Sequence, residues 1–162
     1  IHKALRGIRL PSNCRTRVTD HNTIAGFSKL TKAIELTHST YPNKVYPEVG
    51  LGIEISCADK CHVVGIFKDD KRTIQELSNW ISMNIMDYES GTYHTSLDVL
   101  KMIREYGGIG YIAHINSSDI FKDDFLSGGY KKQLFKSIDN KLLGVSDLEK
   151  IDVVCIWQVN FV

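Results

Sequence analysis

The sequence has 162 residues, enough for one domain to bury a substantial hydrophobic core. Its 20 basic and 19 acidic residues nearly cancel, which excludes the strongly basic surface of a dedicated nucleic-acid-binding protein. No apolar run reaches the roughly 18 residues of a membrane span, and four scattered cysteines favour the reducing cytoplasm over a disulfide-linked secreted fold. The chain begins with Ile1 and ends in a strand-like run, so we expect residues 1–162 to be a single partial domain of a longer protein.

The first third of the chain predicts a strand followed by a helix. The strand covers residues 14–19, and because Arg15 and Arg17 alternate through it, we expect it to be irregular or near an edge. Apolar residues recur at helical spacing over 23–37, and Asn22 or Thr23 is the expected cap. The strand therefore runs into the polar pair Asp20 and His21 directly before the helix begins.

The second predicted strand, residues 49–57, carries Glu54 among apolar neighbours. A buried carboxylate without a partner is costly, so this residue requires one. Only residues 58–61 separate this strand from the next apolar run, 62–67. So short a loop cannot join parallel strands and predicts an antiparallel hairpin, which would place His62 beside the carboxyl end of the Glu54 strand.

The remaining elements alternate between helix and strand. Helices are predicted over 70–86, with a turn at 87–91, and from a Thr95–Asp98 capping box to Tyr106, where Gly107 and Gly108 end the helix. A buried strand over 109–113 runs directly into His114. A helix over 130–138 and a strand over 151–157 complete an α/β pattern.

Four residues that commonly bind metals lie at, or pair with, the carboxyl ends of predicted strands: His21, Glu54, His62 and His114. Imidazoles combined with a carboxylate that can bridge two ions suit zinc, manganese or iron. Clusters of such metals activate water and bind phosphoryl groups. The pattern therefore predicts a metal site for phosphate chemistry.

Four segments occur in the order and spacing typical of one family: Thr19-Asp-His-Asn-Thr23, Gly52-Ile-Glu-Ile-Ser56, His62-Val-Val-Gly-Ile-Phe67 and Ile103-Arg-Glu-Tyr-Gly-Gly-Ile-Gly-Tyr-Ile-Ala-His114. Together they resemble the PHP (polymerase and histidinol phosphatase) domain, over about residues 1–160. Asn116 and Ser117, after the last histidine, look more like the branch in which this domain is fused to an ATPase.

The resemblance implies a distorted seven-stranded β/α barrel, incomplete in this sequence, with up to three divalent metals (Zn, Mn or Fe) at its mouth. Glu54 matches the carboxylate that bridges two metals, His62 and His114 match ligands of one of these, and His21 matches a ligand of the third. Asp20 matches a polar position beside the site. The implied catalytic residues are Glu54, His114 and Asp20, and the implied reaction is attack of a metal-activated hydroxide on a phosphate ester.

The sequence also departs from the family, because the opening His-x-His and closing Asp-x-His pairs are absent. Either the full protein supplies them elsewhere, or the protein has lost catalysis. Three interpretations stay open: a phosphoesterase, a nuclease or exonuclease that takes nucleic acid, and a non-catalytic PHP-like module that docks on an attached ATPase.

Other segments have simpler interpretations. We expect His2, His38 and His94 to face solvent. Cys57 and Cys61 with His62 lack the second half of a zinc knuckle. Residues 126–129 resemble the signature of ABC-type ATPases, but the sequence has no phosphate-binding P-loop, so they are read as a turn. Three basic residues are expected on a solvated helix face that would meet phosphates only with a nucleic-acid substrate: Lys131, Lys132 and Lys136.

Overall fold

The computed structural model describes residues 15–113 and 155–157, which form strands and helices in the following order: β1 (Arg15–Val18), α1 (Ala25–Thr40), β2 (Glu48–Ser56), β3 (His62–Ile66), α2 (Lys71–Asn84), β4 (Ile85–Asp87), β5 (Gly91–Thr92), α3 (Ser96–Glu105), β6 (Ile109–Ile112) and β7 (Cys155–Trp157). The predicted elements within these ranges are present with shifts of a few residues at their ends. The predicted helix over 130–138 lies outside the described residues. None of the described helices is long and apolar enough to cross a membrane.

The main sheet is mixed and open. Its strand order is β6-β3-β2-β1-β7; β1 pairs in parallel with β2 and β7, whereas β3 is antiparallel to β2 and β6. The expected seven-stranded β/α barrel is therefore wrong for the described part of the chain, where the sheet has five strands and two unpaired edges. The β2–β3 hairpin and the antiparallel β6 interrupt the parallel strand–helix repeat from which a β/α barrel is built.

One face of this sheet forms the hydrophobic core. Successive residues of a strand point to opposite faces, and the odd-numbered β2 residues Leu51, Ile53 and Ile55 are completely buried. They belong to one cluster with Phe27 of α1 and Ile103 of α3, so the helices cover this face. The even-numbered residues of β2, which include Glu54, consequently point to the opposite face. The core thus fixes which side of the sheet carries the candidate ligands.

The antiparallel β2–β3 hairpin predicted from its short loop is confirmed. Ser56 pairs with His62, and the Cys57 N–H donates to the Cys61 carbonyl at 2.9 Å. Lys60 adopts a left-handed conformation with φ 61°, which three-residue hairpin loops commonly require. The loop therefore determines the register that places His62 relative to Glu54.

The helix ends largely follow the predicted signals. The Thr95 hydroxyl accepts the Asp98 N–H at 3.3 Å, as the capping box requires. At the other end of α3, the Gly107 N–H donates to the Arg104 carbonyl and the Gly108 N–H to the Ile103 carbonyl, which is the Schellman pattern. The helix therefore ends where the two glycines predict.

The structure adds a small hairpin that the sequence did not predict. Residues 85–87 continue from α2 as β4 and pair with β5, so the expected turn over 87–91 joins two short antiparallel strands. Gly91, with φ 74°, begins β5 and packs against the end of β2. This hairpin therefore lies beside the edge of the sheet at which β2 ends.

Candidate metal centre

His21 lies next to Glu54 because the pairing of β1 with β2 continues in register beyond the end of β1. The Glu54 N–H donates to the Asp20 carbonyl at 3.0 Å, and the Asn22 N–H donates to the Glu54 carbonyl at 2.7 Å. Paired residues of neighbouring strands project to the same face. The two side chains therefore lie side by side, with His21 Nε2 3.7 Å from Glu54 Oε1.

His62 reaches the same carboxylate from the other side. It pairs with Ser56 across the β2–β3 hairpin, and this position is diagonal to Glu54 on the same face. Its Nδ1 lies 3.0 Å from Glu54 Oε1, so the ring N–H donates to the carboxylate. The His21 and His62 rings are nearly perpendicular, with centroids 5.3 Å apart. Three of the four predicted ligands are thus brought together.

The geometry of these three side chains fits one metal ion. Each offers one candidate ligand atom, and all of these atoms lie within 4.8 Å of one another. Metal–ligand bonds of about 2.1 Å in tetrahedral geometry put ligand atoms about 3.4 Å apart. The distances from Glu54 Oε1 to His62 Nδ1 and His21 Nε2, 3.0 and 3.7 Å, lie on either side of that value. The three side chains therefore offer a nitrogen and oxygen ligand set that could hold one ion.

Burial of Glu54 gives the cluster its electrostatic character. Its side chain is 2% exposed, whereas those of His21 and His62 are 24% and 38% exposed. The pKa of His62 is raised by the hydrogen bond to Glu54 and by the carboxylate charge, against the lowering effect of burial. The cluster therefore combines a buried carboxylate with two imidazoles that solvent can reach.

Tyr111 of β6 lies on the same face as the cluster. It pairs with Val64, which in turn pairs with Glu54, so all three side chains project in one direction. Burial, and secondarily the Glu54 charge, raise the pKa of Tyr111 to about 12. At neutral pH the phenol is therefore protonated and can donate a hydrogen bond on this face.

Asp20 stabilises the first turn of α1 through its side chain. Its Oδ2 accepts the Gly26 N–H at 2.7 Å in the first turn of α1. The expected cap residues act differently: Thr23 accepts the Ala25 N–H at 3.2 Å, and Asn22 bonds elsewhere. Burial raises the pKa of Asp20 despite the hydrogen bond from Gly26. The catalytic role of Asp20 stays a prediction.

His114, the remaining predicted ligand, lies outside the described residues. It directly follows Ala113, whose N–H donates to the His62 carbonyl at 2.8 Å. The roles of His114 as a ligand and in catalysis stay predictions. Other residues with sequence-based predictions also lie outside the described range: His2, Asn116, Ser117, the 126–129 turn, Lys131, Lys132 and Lys136.

The geometry argues against a zinc knuckle formed by Cys57, Cys61 and His62. Cys61 and His62 are successive residues, so the Cys61 thiol points to the core face and the His62 imidazole to the other. Both cysteines are buried in the core cluster. Burial raises the pKa of Cys61 to about 11 and that of Cys57 further. The two thiols therefore lie in the hydrophobic core, on the side of the sheet opposite to the His62 imidazole.

Sequence reasoning missed Asn22, which it treated as a helix cap. The residue is 3% exposed and joins the end of β2 to the β4–β5 hairpin through its side-chain amide. In the sequence, its position directly after the candidate ligand His21 was the signal that could have identified this role.

The prediction that His94 faces solvent was wrong. The side chain is half-buried, forms a hydrogen bond with Asn84 at 2.8 Å and lies against the Tyr93 ring. His38 is exposed as expected.

Part of this chain is similar to a curated bacterial protein. An uncharacterized protein of Streptococcus pneumoniae serotype 4 is 39% identical to this chain over 120 residues, which cover 73% of the chain and 46% of that protein. The chain thus spans about half the length of this relative. No protein-family model matches the sequence. No solved structure matches it.

Proposed function

We propose that this protein is a metal-dependent hydrolase that cleaves a phosphate ester. The observation that carries the proposal is the convergence of His21, Glu54 and His62 on one face of the sheet, with their ligand atoms within 4.8 Å. The two imidazoles partner the buried Glu54 carboxylate, and the same three side chains offer nitrogen and oxygen ligand atoms to a divalent metal. The similarity of the four motifs to the PHP domain supports the chemistry, whereas the open mixed sheet gives no support to the barrel architecture.

In this proposal Glu54, His21 and His62 hold a divalent metal from the set Zn, Mn and Fe, since a nitrogen and oxygen ligand set suits these ions. When bound, such a metal polarises a phosphate oxygen and activates water for attack. The partly exposed imidazoles leave room for the substrate, and the protonated Tyr111 is placed on the same face to donate to a substrate oxygen. His114 is proposed as a further ligand, and up to three metals in the complete protein follow from the PHP resemblance.

The substrate proposal is a phosphate ester, with cleavage of nucleic acid as the alternative. We also propose that this domain is part of a longer protein. The second alternative is therefore a non-catalytic module that docks on an attached ATPase. The proposed compartment is the cytoplasm, in line with the absence of a disulfide bond at Cys57 and Cys61. Metal binding together with hydrolysis would indicate an enzyme, whereas metal binding alone would indicate the non-catalytic module.

The test uses the full-length protein after chelation and reconstitution with Zn²⁺, Mn²⁺ or Fe²⁺. Metal content and hydrolysis of a phosphate monoester, a phosphate diester and single-stranded DNA are measured for wild type, Glu54→Gln and Glu76→Gln. Glu76 forms a surface pair with Arg72 on α2 and serves as the matched control. We expect metal binding and activity in wild type and Glu76→Gln, and loss of both in Glu54→Gln with the circular dichroism spectrum retained.

Two results would contradict the proposal. One is a wild-type protein that retains no metal after reconstitution. The other is a Glu54→Gln variant that binds metal and hydrolyses the substrates as wild type does. Metal binding without hydrolysis of any of the three substrates would favour the non-catalytic module.

A further inference from the structure

Asn22 has an unusual backbone conformation directly after a candidate ligand. Its φ is 58°, in the left-handed region that asparagine tolerates better than most residues. The residue is almost completely buried, with 3% exposure. Its N–H donates to the carbonyl of Glu54 at 2.7 Å. The backbone of Asn22 therefore connects the residue after His21 directly to the carboxylate residue of the cluster.

The side chain of Asn22 forms hydrogen bonds with two other segments near the cluster. Oδ1 accepts the Ser56 N–H at 2.9 Å, and Nδ2 donates to the Tyr88 carbonyl at 2.8 Å and to the Ser56 hydroxyl at 3.3 Å. Ser56 is two residues beyond Glu54 and pairs with His62. Tyr88 belongs to the turn between β4 and β5. One amide group thus ties the His21 turn, the β2 end and the small hairpin together.

We propose that Asn22 is a positioning residue that holds His21 in place relative to Glu54 and His62; this inference rests on the proposed metal centre. The side-chain bonds keep the turn after His21 from moving against β2. Metal ligands must be held within about 0.5 Å of their productive positions by the residues behind them. A loss of such supporting residues lowers metal affinity by about 10- to 100-fold. Asn22 contacts the strands that carry the ligands and needs no contact with the metal.

The Asn22→Gly substitution isolates the side chain from the backbone. Glycine adopts positive φ without steric cost, so the turn is still allowed while all three side-chain bonds are lost. Val99→Ala is the matched control, because Val99 is completely buried in α3 and its truncation weakens the fold through the core. Each variant is characterised by its melting temperature in chelator, its Zn²⁺ affinity by chelator competition and its absorption spectrum with Co²⁺.

We expect Asn22→Gly to lower Zn²⁺ affinity by about 10- to 100-fold and to change the Co²⁺ spectrum. Val99→Ala should lower the melting temperature while keeping the affinity and spectrum of wild type. The inference is overturned if Asn22→Gly binds Zn²⁺ as tightly as wild type with the same Co²⁺ spectrum, or if Val99→Ala loses affinity equally. A wild-type protein that binds neither ion would overturn the proposed metal function and this inference together. Tight binding that Asn22→Gly leaves unchanged would overturn the inference alone.

Discussion

Gly91 and Gly107 provide a matched pair for testing how the β4–β5 hairpin packs beside the candidate metal centre. Both have positive φ, 74° and 71°. A Cβ built on Gly91 would lie 2.1 Å from the Ser56 carbonyl oxygen, whereas a Cβ on Gly107 would meet nothing within 4 Å. Replacement by alanine therefore imposes the same backbone strain at both positions, but a steric clash with backbone at Gly91 only.

The expected cost follows from these two terms. Left-handed backbone costs a non-glycine residue about 1–2 kcal/mol, and this is the whole effect expected for Gly107→Ala. At Gly91 the clash with a backbone atom cannot be relieved by rotating a side chain. Overpacking of this kind adds about 1–3 kcal/mol, so Gly91→Ala should destabilise the fold by about 2–5 kcal/mol. The hairpin must also move away from Ser56, and this strains the Asn22 bond to the Tyr88 carbonyl.

Urea denaturation, followed by circular dichroism, measures the free energy of unfolding of wild type, Gly91→Ala and Gly107→Ala. Zn²⁺ affinity is measured on the same samples. We expect Gly91→Ala to be the less stable variant and to bind Zn²⁺ less tightly. Equal destabilisation by the two substitutions would refute the argument that close packing of Gly91 on Ser56 positions the hairpin.

Two further predictions concern the helix α2. The Asp70 carboxylate accepts the Thr73 N–H at 2.9 Å, and this bond lowers the pKa of Asp70. Its stabilisation is therefore present above the unfolded pKa and is lost as the pH falls through the folded pKa. The stability gap between wild type and Asp70→Ala in urea denaturation should narrow on acidification, and a gap that widens would contradict this. Leu77 is completely buried, so Leu77→Ala should cost about 2–5 kcal/mol in the same assay, and a loss well below 1 kcal/mol would contradict its place in the core.

Local features of the fold were largely predictable from sequence because their signals are local. The short loop between β2 and β3 permits only antiparallel pairing, and Gly107 with Gly108 can end α3 as few other residues can. Glu54 was identifiable because a carboxylate in an apolar strand requires partners. The structure places His62 beside it as the hairpin predicted, and it also places His21 there, which the PHP resemblance assigned to a different metal from the two that Glu54 would bridge.

The barrel expectation was wrong because strand order depends on contacts between distant segments. The sequence around residues 109–112 does not indicate that β6 pairs with β3. A motif resemblance describes the local pattern of each strand but does not identify the strand's neighbours in the sheet. The β4–β5 hairpin was missed because β4 directly follows α2, whose helical pattern appeared to extend to residue 86.

The role of Asn22 was hidden for a related reason. Asparagine before a helix is usually a cap, and only the paired strands reveal that its amide faces Ser56 and Tyr88 instead. Asp20 takes over the hydrogen bond to the first turn of α1, at the Gly26 N–H. Tertiary contacts decide which of the neighbouring polar residues bonds to the first turn of the helix. A single sequence does not show these contacts.

If Glu54 supplies the carboxylate of a metal centre, its substitution must change the metal content of the purified protein. Elemental analysis after reconstitution with Zn²⁺ and dialysis should find at least one equivalent of zinc in wild type and in Glu76→Gln. Glu54→Gln should retain a small fraction of an equivalent. Zinc retained equally by Glu54→Gln and wild type, or by neither, would rule out a zinc site at Glu54.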